Sequence, residues 1–543
     1  MTSTNKLMPS TALLLRSLKD RPALTAFLFT ALFFLALCLP GSPRWETNDD
    51  VHMSMVAHGY GLAAYGSPHL IYSNVLWGYL VRSLPSIHGV LGYSLATMTV
   101  LFVSGWTLLY FLLRLGTGFL ISGLALIVVM ARPALFPQFT INAGLLTIAA
   151  VAGLRVFARF GDFKSLLVSC LLAFIAYLIR SRECLLIFAI AFPLLPWQAL
   201  LQRKPMQIAI AVLALAMACA TFFNSWSYRG PEWQAFKELN AARTPITDWG
   251  AGGALKEHPE ILARYGYSKN DIELISERFY VDPNIANPKT LNAMIAELGP
   301  GFMQDSSLQS GLHALEVLQI PAFLPAFLAG IILFVGLPQW RVGLAWVLAL
   351  AAFFAMGAQG HRSSYRVYFP VLSLLFLAPF FLRPVKSVFW RWMTVAMLAA
   401  ACGGTISRLI PLCAVSHQVV KYVKQDLQKL RDRTLFTWGP SFPFEVAFPV
   451  LSTDPIPLNL RLYAVNVFMH APFTVSAAEQ RAGRGMVERL RTPQGISIVA
   501  SEKLQYFLSV YCIERFKGLP EGGDAALQTK TIQIKHMRCA PPQ

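Results

Sequence analysis

Residues 23–39 read ALTAFLFTALFFLALCL, and a few positions further on residues 45–52 read WETNDDVH. The first stretch carries no charge over 17 residues, and a helix crossing the hydrocarbon core of a bilayer needs about 20 predominantly apolar residues. Lys6, Arg16, Lys19 and Arg21 precede it, the flank expected of a helix that enters the membrane from the cytoplasm. A cleaved export signal has the same order of charge and apolar run. Leu35-Ala36-Leu37-Cys38 also hints at a lipid-attachment site, but Leu37 is too large for the position before such a cysteine. The stretch therefore reads as an uncleaved first membrane helix.

The rest of the chain repeats that pattern. Of 543 residues, 55% are hydrophobic and only 14% are charged, with a mean hydropathy of +0.50. Soluble domains are about 25% charged, so this chain could not cover a soluble surface of its size. A soluble enzyme, a disordered protein and a DNA-binding domain are excluded as readings of the whole. Further apolar runs near 91–113, 117–131, 140–158, 165–180, 184–200, 206–223, 319–337, 342–358, 366–382 and 392–414 bring the expected spans to about eleven. The expected fold is an α-helical polytopic membrane protein. Residues 1–415 form its transmembrane domain, with interfacial helices in a first outer loop (40–89) and a large outer loop at 224–318. Residues 416–543 form a small C-terminal α+β domain on the outer side, with strands expected over Gly495–Ala500, Tyr506–Cys512 and Thr529–Lys535.

The net charge of +18 would suit nucleic acid, but its placement argues otherwise. Arg114, Arg155, Arg159, Lys164, Arg203, Lys204, Arg341, Arg383, Lys386 and Arg391 all fall in turns that the threading puts in the cytoplasm, where lysine and arginine set orientation. No nucleic-acid partner is expected. Most cysteines lie in or beside apolar runs; Cys512 and Cys539 share the outer domain and are a disulfide candidate, two free thiols being the alternative.

Orientation leaves some polar groups unexplained. Asp49 and Asp50 are adjacent carboxylates beside the bilayer, an arrangement suited to one general base and one orienting group or metal ligand. A solvated loop, or a cap on a short helix, is the plain structural alternative. Neighbouring residues point in different directions on a helix, so one of the two is expected to face a reacting group. Arg132, Arg180, Arg182, His361, Arg362 and Arg366 lie on the outer side, against the positive-inside bias. Planar guanidinium forks suit phosphate, although outer arginines also snorkel to lipid headgroups. Carboxylates facing arginines at a membrane surface point to displacement of a lipid-tethered phosphate. Trp45, Tyr60, Tyr65, Tyr72, Trp77 and Tyr79 read mainly as an interfacial aromatic belt.

With these residues in place, the chain resembles the GT-C class of polytopic membrane glycosyltransferases, in particular a bacterial subgroup. The resemblance rests on Thr47-Asn48-Asp49-Asp50 after the first helix, Gly66-Ser67-Pro68, and Asn74 with Gly78. It extends to Asn240-Ala241-Ala242-Arg243, Gly266-Tyr267-Ser268-Lys269-Asn270-Asp271 and Phe279-Tyr280-Val281-Asp282. It implies transfer of a single sugar (a pentose such as arabinofuranose, a hexose or an amino sugar) from a polyprenyl-phosphate donor. The acceptor implied is periplasmic: a surface glycan, a lipid-linked saccharide or an exported protein such as a pilin. The implied location is the bacterial inner membrane, with the N-terminus cytoplasmic and the C-terminal domain periplasmic among membrane lipids. Asp49 or Asp50 would be the base of an inverting displacement, and Arg182, Arg362, Arg366, Arg132 and Arg180 would hold the donor phosphate. Glu46, His52, Asn74, His361, Tyr365 and Arg243 would contact substrate. Some members bind a divalent cation (Mg or Mn) with such acidic residues and others do not, so the metal stays open, with Asp49 and Asp50 its ligands if one binds. A second acidic cluster and a W-W-D signature are lacking, which disfavours block oligosaccharide transfer. The alternatives are an O-antigen-type polymerase or ligase, a lipid or glycan transporter, and a non-catalytic scaffold.

Overall fold

The computed structural model describes residues 21–299, 308–359, 364–385, 387–430, 434–453, 460–524 and 529–542. Among them, eight helices are long and apolar enough to cross a membrane: Pro22–Gly41, Gly92–Leu115, Phe139–Phe160, Phe163–Ile190, Lys204–Ser227, Trp340–Ala358, Tyr365–Leu382 and Val388–Lys429. A ninth forms if Leu308–Gln319 and Leu324–Gly336, bent by 95° at their junction, are taken as one span. Phe119–Leu135 is apolar but shorter. The protein is thus a polytopic helical membrane protein with a small sheet at its C-terminal end. Turns between successive helices are tight. Gly116, at φ 89°, donates its N–H back to the Gly92–Leu115 helix and ends it in the left-handed conformation that glycine adopts without penalty.

The count falls three below the expected eleven: the run 117–131 forms the shorter helix Phe119–Leu135, the run 319–337 belongs to the bent pair, and the runs 165–180 and 184–200 share one helix assignment. Phe163–Ile190 contains Arg180 in a non-helical conformation (φ −154°, ψ 91°), and the chain reverses there. Cys184 Sγ reaches the carbonyl of Ala173 at 3.7 Å, a contact that eleven residues of straight helix, about 16 Å long, would forbid. Tyr177 bonds Thr221 (2.6 Å) and Cys170 contacts the Ala209 carbonyl (4.0 Å), so the first arm runs parallel to Lys204–Ser227. Arg203 donates to the Phe157 carbonyl (3.0 Å) at the other end of the bundle. The runs 165–180 and 184–200 are therefore the two arms of a hairpin with Arg180 at its tip.

The boundary expected at 415/416 is crossed without a break by Val388–Lys429, a helix of 42 residues. After it comes a five-stranded sheet, β1 (Thr434–Thr437), β2 (Arg461–Ala464), β3 (Ile496–Val499), β4 (Leu519–Asp524) and β5 (Lys535–Ala540), in the order β2-β1-β3-β5-β4. β1 pairs in parallel with β2 and β3, and β5 pairs antiparallel with β3 and β4. Of the expected strands, Gly495–Ala500 matches β3. Tyr506–Cys512 does not: it lies within the helix Glu502–Phe516, whose buried residues Leu504, Leu508, Tyr511 and Cys512 recur at helical spacing. Of Thr529–Lys535, only Lys535 lies in a strand. Cys512 and Cys539 are joined in a disulfide, with Cα atoms 5.7 Å apart, that ties this helix to β5.

Residues 239–294 of the expected large loop pack with the C-terminal region in one core. Leu239, Ile272, Phe279 and Tyr280 share a hydrophobic core with Phe436, Trp438, Tyr463 and Tyr511. Polar contacts reinforce the junction. Asp271, buried, forms a capping box with Ser268 and accepts from Arg515 Nε at 3.2 Å. Asp282 accepts from Tyr511 Oη at 2.8 Å. The 40–89 segment also joins the sheet, where Gly61 bridges to Arg461 beside β2 and Leu462 N–H donates to the Gly61 carbonyl (3.0 Å).

Candidate functional site

Asn48–His58 is a helix that starts within the WETNDDVH stretch, with Asp49 and Asp50 in its first turn. Carboxylates there complement the positive end of the helix dipole, and Glu445 from the C-terminal region accepts the N–H of Asn48. The helix stops at Gly59 (φ 72°), where a Cβ would fall 2.6 Å from the Gly66 nitrogen. Successive residues on a helix point about 100° apart, and the two aspartates part company accordingly. Asp50 is fully buried. Its Oδ1 accepts from Tyr93 Oη (3.0 Å) and the Phe139 N–H (3.1 Å), while Thr47 Oγ1 lies 3.4 Å from Oδ2. Burial first, and the Asp49 charge second, hold its carboxyl well above the usual range. Asp49 instead is partly open, its side chain 19% exposed, and is ion-paired with Arg366.

Beside that pair lies a polar cavity of about 440 Å³, whose lining includes Tyr72, Asn74, Arg180, Arg182, Asn240 and Arg243. The hairpin tip delivers Arg180, whose Nη1 donates to the Tyr72 carbonyl (3.0 Å), and Arg182, exposed at the rim. Arg243, on the helix Gln234–Asp248, is held by Asn240 Oδ1 (2.7 Å to Nη2) and Thr247 Oγ1 (2.9 Å) and pairs with Asp248 at 3.4 Å. The charges of Asp49 and Arg366 act on both Arg180 and Tyr72, so the ion pair lies within electrostatic range of two of the residues that line the cavity. Burial and Asp49 raise the Tyr72 hydroxyl above its ordinary value.

The structure thus gathers Asp49, Arg366, Arg180, Arg182, Arg243 and Asn74. Asn74 has a structural role as well: Oδ1 caps the helix Val75–Ser83 through Leu76 N–H (3.0 Å), and Nδ2 donates to the Ala220 carbonyl (3.0 Å). Three other candidates form a separate group. Arg132 pairs with Glu46 at 2.7 Å, and its guanidinium lies 4.4 Å from the centre of the Tyr365 ring. His52 is buried edge-on against Phe444 and Phe468, and burial lowers its pKa to about 4, so it is a neutral imidazole at ordinary pH. His361 and Arg362 lie outside the described residues. Of the aromatic belt, Trp45, Tyr60 and Trp77 are buried instead, and Trp45 Nε1 donates to the Phe448 carbonyl (2.9 Å).

Sequence reasoning missed Tyr93, which immobilises Asp50, and Glu445, whose carboxyl burial pushes up. Tyr93 carried a usable signal, a hydroxyl in the first turn of an apolar helix; Glu445 carried none. The donor set does not fit a divalent cation. Asp50 faces neutral donors, Asp49 faces a guanidinium, and no group of three or more His, Cys, Asp or Glu suited to a metal occurs among the described residues. No family model matches the chain, and no curated protein matches it.

Proposed function

We propose that the protein is a membrane glycosyltransferase of the GT-C kind that moves a single sugar from a polyprenyl-phosphate donor to an acceptor on the outer face of the bacterial inner membrane. The observation that carries this reading is the meeting of one partly open carboxylate, Asp49, with Arg366 within electrostatic range of a cavity presenting Arg180, Arg182 and Arg243. Asp49 takes the proton of the acceptor hydroxyl as that oxygen attacks the anomeric carbon. The bond from that carbon to the phosphate oxygen breaks with inversion, and the phosphate departs with the electron pair. Guanidiniums stabilise the charge growing on it. Arg366 orients Asp49, and Asp50 fixes the helix that carries it. Counting the two hairpin arms separately, and including Phe119–Leu135 and the bent pair, supports eleven passes, with the cavity and the sheet on the periplasmic side.

The test is the mass profile of surface glycans and pilins in a deletion strain complemented with wild type, Asp49→Asn or Asp50→Asn. The expected result is a defined mass lost on deletion, restored by wild type, and not restored by Asp49→Asn at normal membrane abundance. Full complementation by both variants would sink the reading and favour a polymerase that works through arginines alone.

A further inference from the structure

The end of the bundle opposite Asp49 holds a second cavity, of about 920 Å³. Five guanidiniums line it: Arg155 and Arg159 from the last turns of Phe139–Phe160, Arg203 from the link before Lys204–Ser227, Arg341 from Trp340–Ala358, and Arg383 just beyond Tyr365–Leu382. No aspartate or glutamate is among the lining residues. A bias of basic residues toward one side of the membrane accounts for arginines in these turns. It does not account for their convergence on one cavity, where like charges repel.

Arg155 makes the point most directly. Its Nε and Nη2 are sealed from solvent and have no acceptor among the described residues, while the charge of Arg341 bears on it. Arg159 and Arg203 each donate to one backbone carbonyl, Leu115 (2.9 Å) and Phe157 (3.0 Å), which fixes their forks without neutralising them. A buried cation lacking a counter-charge is strongly disfavoured. The arrangement is complete only with an anion that offers several oxygens, and planar forks match phosphate oxygens two at a time. The volume admits more than one phosphate group.

We infer that this cavity is a binding site for a phosphate-bearing anion, distinct from the Asp49 site and independent of the function proposed above. Two sources share that chemistry: the headgroup of an anionic membrane lipid and a soluble diphosphate. The experiment uses the full-length protein in phosphatidylcholine nanodiscs with added cardiolipin, and in zwitterionic detergent with added pyrophosphate. Retention by native mass spectrometry and the shift in Tm are read for wild type, Arg155→Gln/Arg341→Gln and Asp49→Asn. Wild type and Asp49→Asn are expected to bind one of the two anions at least tenfold more tightly than the double variant. Which anion shows that difference identifies the source. With no anion added, the double variant is expected to be at least as stable as wild type, since it relieves repulsion. Should it fail to fold, Arg383→Gln, at an exposed position, carries the same comparison of affinities. Equal binding by wild type and variant, or retention of phosphatidylcholine as tight as that of cardiolipin with no response to pyrophosphate, overturns the inference.

Discussion

The two ends of the helical bundle both gather arginines, and they treat the charge in opposite ways. At the Asp49 end three of the arginines have a carboxylate partner: Arg366 has Asp49, Arg132 has Glu46, and Arg243 has Asp248, while Arg180 and Arg182 line the cavity beside them. At the other end five arginines line a cavity without a carboxylate. An ion pair can hold a carboxylate aimed, which is what a general base requires. A cluster of unbalanced cations can only wait for an anion from outside. On the two proposals above, the first arrangement serves a reaction and the second serves binding.

Asp49→Asn strikes the first arrangement hardest. Sugar transfer should fall by about 10²–10⁴-fold, the usual contribution of a positioned base, with membrane abundance unchanged; product yield in washed membranes measures it. His52 gives the next largest effect. Its pKa is depressed in the fold, so its contribution to stability is present above the unfolded value near 6.5 and is lost as pH falls through about 4. The loss should reach about 3 kcal/mol over that window, and denaturation of His52→Phe should show a correspondingly shallower pH slope. Arg182→Gln should cut kcat/KM by about tenfold or more, as expected for one lost charge-assisted contact, whereas Arg159→Gln at the opposite end should leave transfer within about twofold. Equal effects from the two would erase the distinction between the ends.

Asp50→Asn should do least to sugar transfer, and near neutral pH it should be at least as stable as wild type. The fold favours the protonated acid, so wild type loses stability as pH rises from the unfolded value through the raised one. An amide at this position does not titrate and escapes that loss, and a Tm series from pH 4 to 9 would register the difference. This pair of neighbours also tests the site most economically: Asp49→Asn inactive beside Asp50→Asn active assigns the base.

Much of this was legible in the chain itself, for physical reasons that differ by region. Apolar runs are set by the bilayer, so the spans could be read locally, and even the break between 165–180 and 184–200, which the reversal at Arg180 makes, was visible. That the two aspartates would point in different directions follows from helix geometry alone. What could not be read is whatever depends on distant partners. Glu445 meets Asn48, Tyr93 meets Asp50, and the motif Gly266–Asp271 braces the C-terminal helix through Asp271 and Arg515 and does not line the cavity. Tyr506–Cys512 misled because its aromatic and β-branched residues suggested a strand, while the burial of Leu504, Leu508 and Tyr511 follows the helical period.

The docking of the 40–89 segment on the sheet has a consequence for timing. Trp45 and the Phe448 carbonyl it binds are 403 positions apart, and Gly61 waits for Arg461 across a similar span. The helix bearing Asp49 is therefore among the first parts of the chain to leave the ribosome; Tyr93 and Phe139 can brace it early, but its contacts with the C-terminal region wait until almost everything else has been made. Contacts that close so late form slowly and leave intermediates exposed. A nascent chain therefore carries Asp49 and Asp50 through most of its synthesis before the C-terminal region that packs on their helix exists, and a product truncated before residue 430 would lack those contacts altogether.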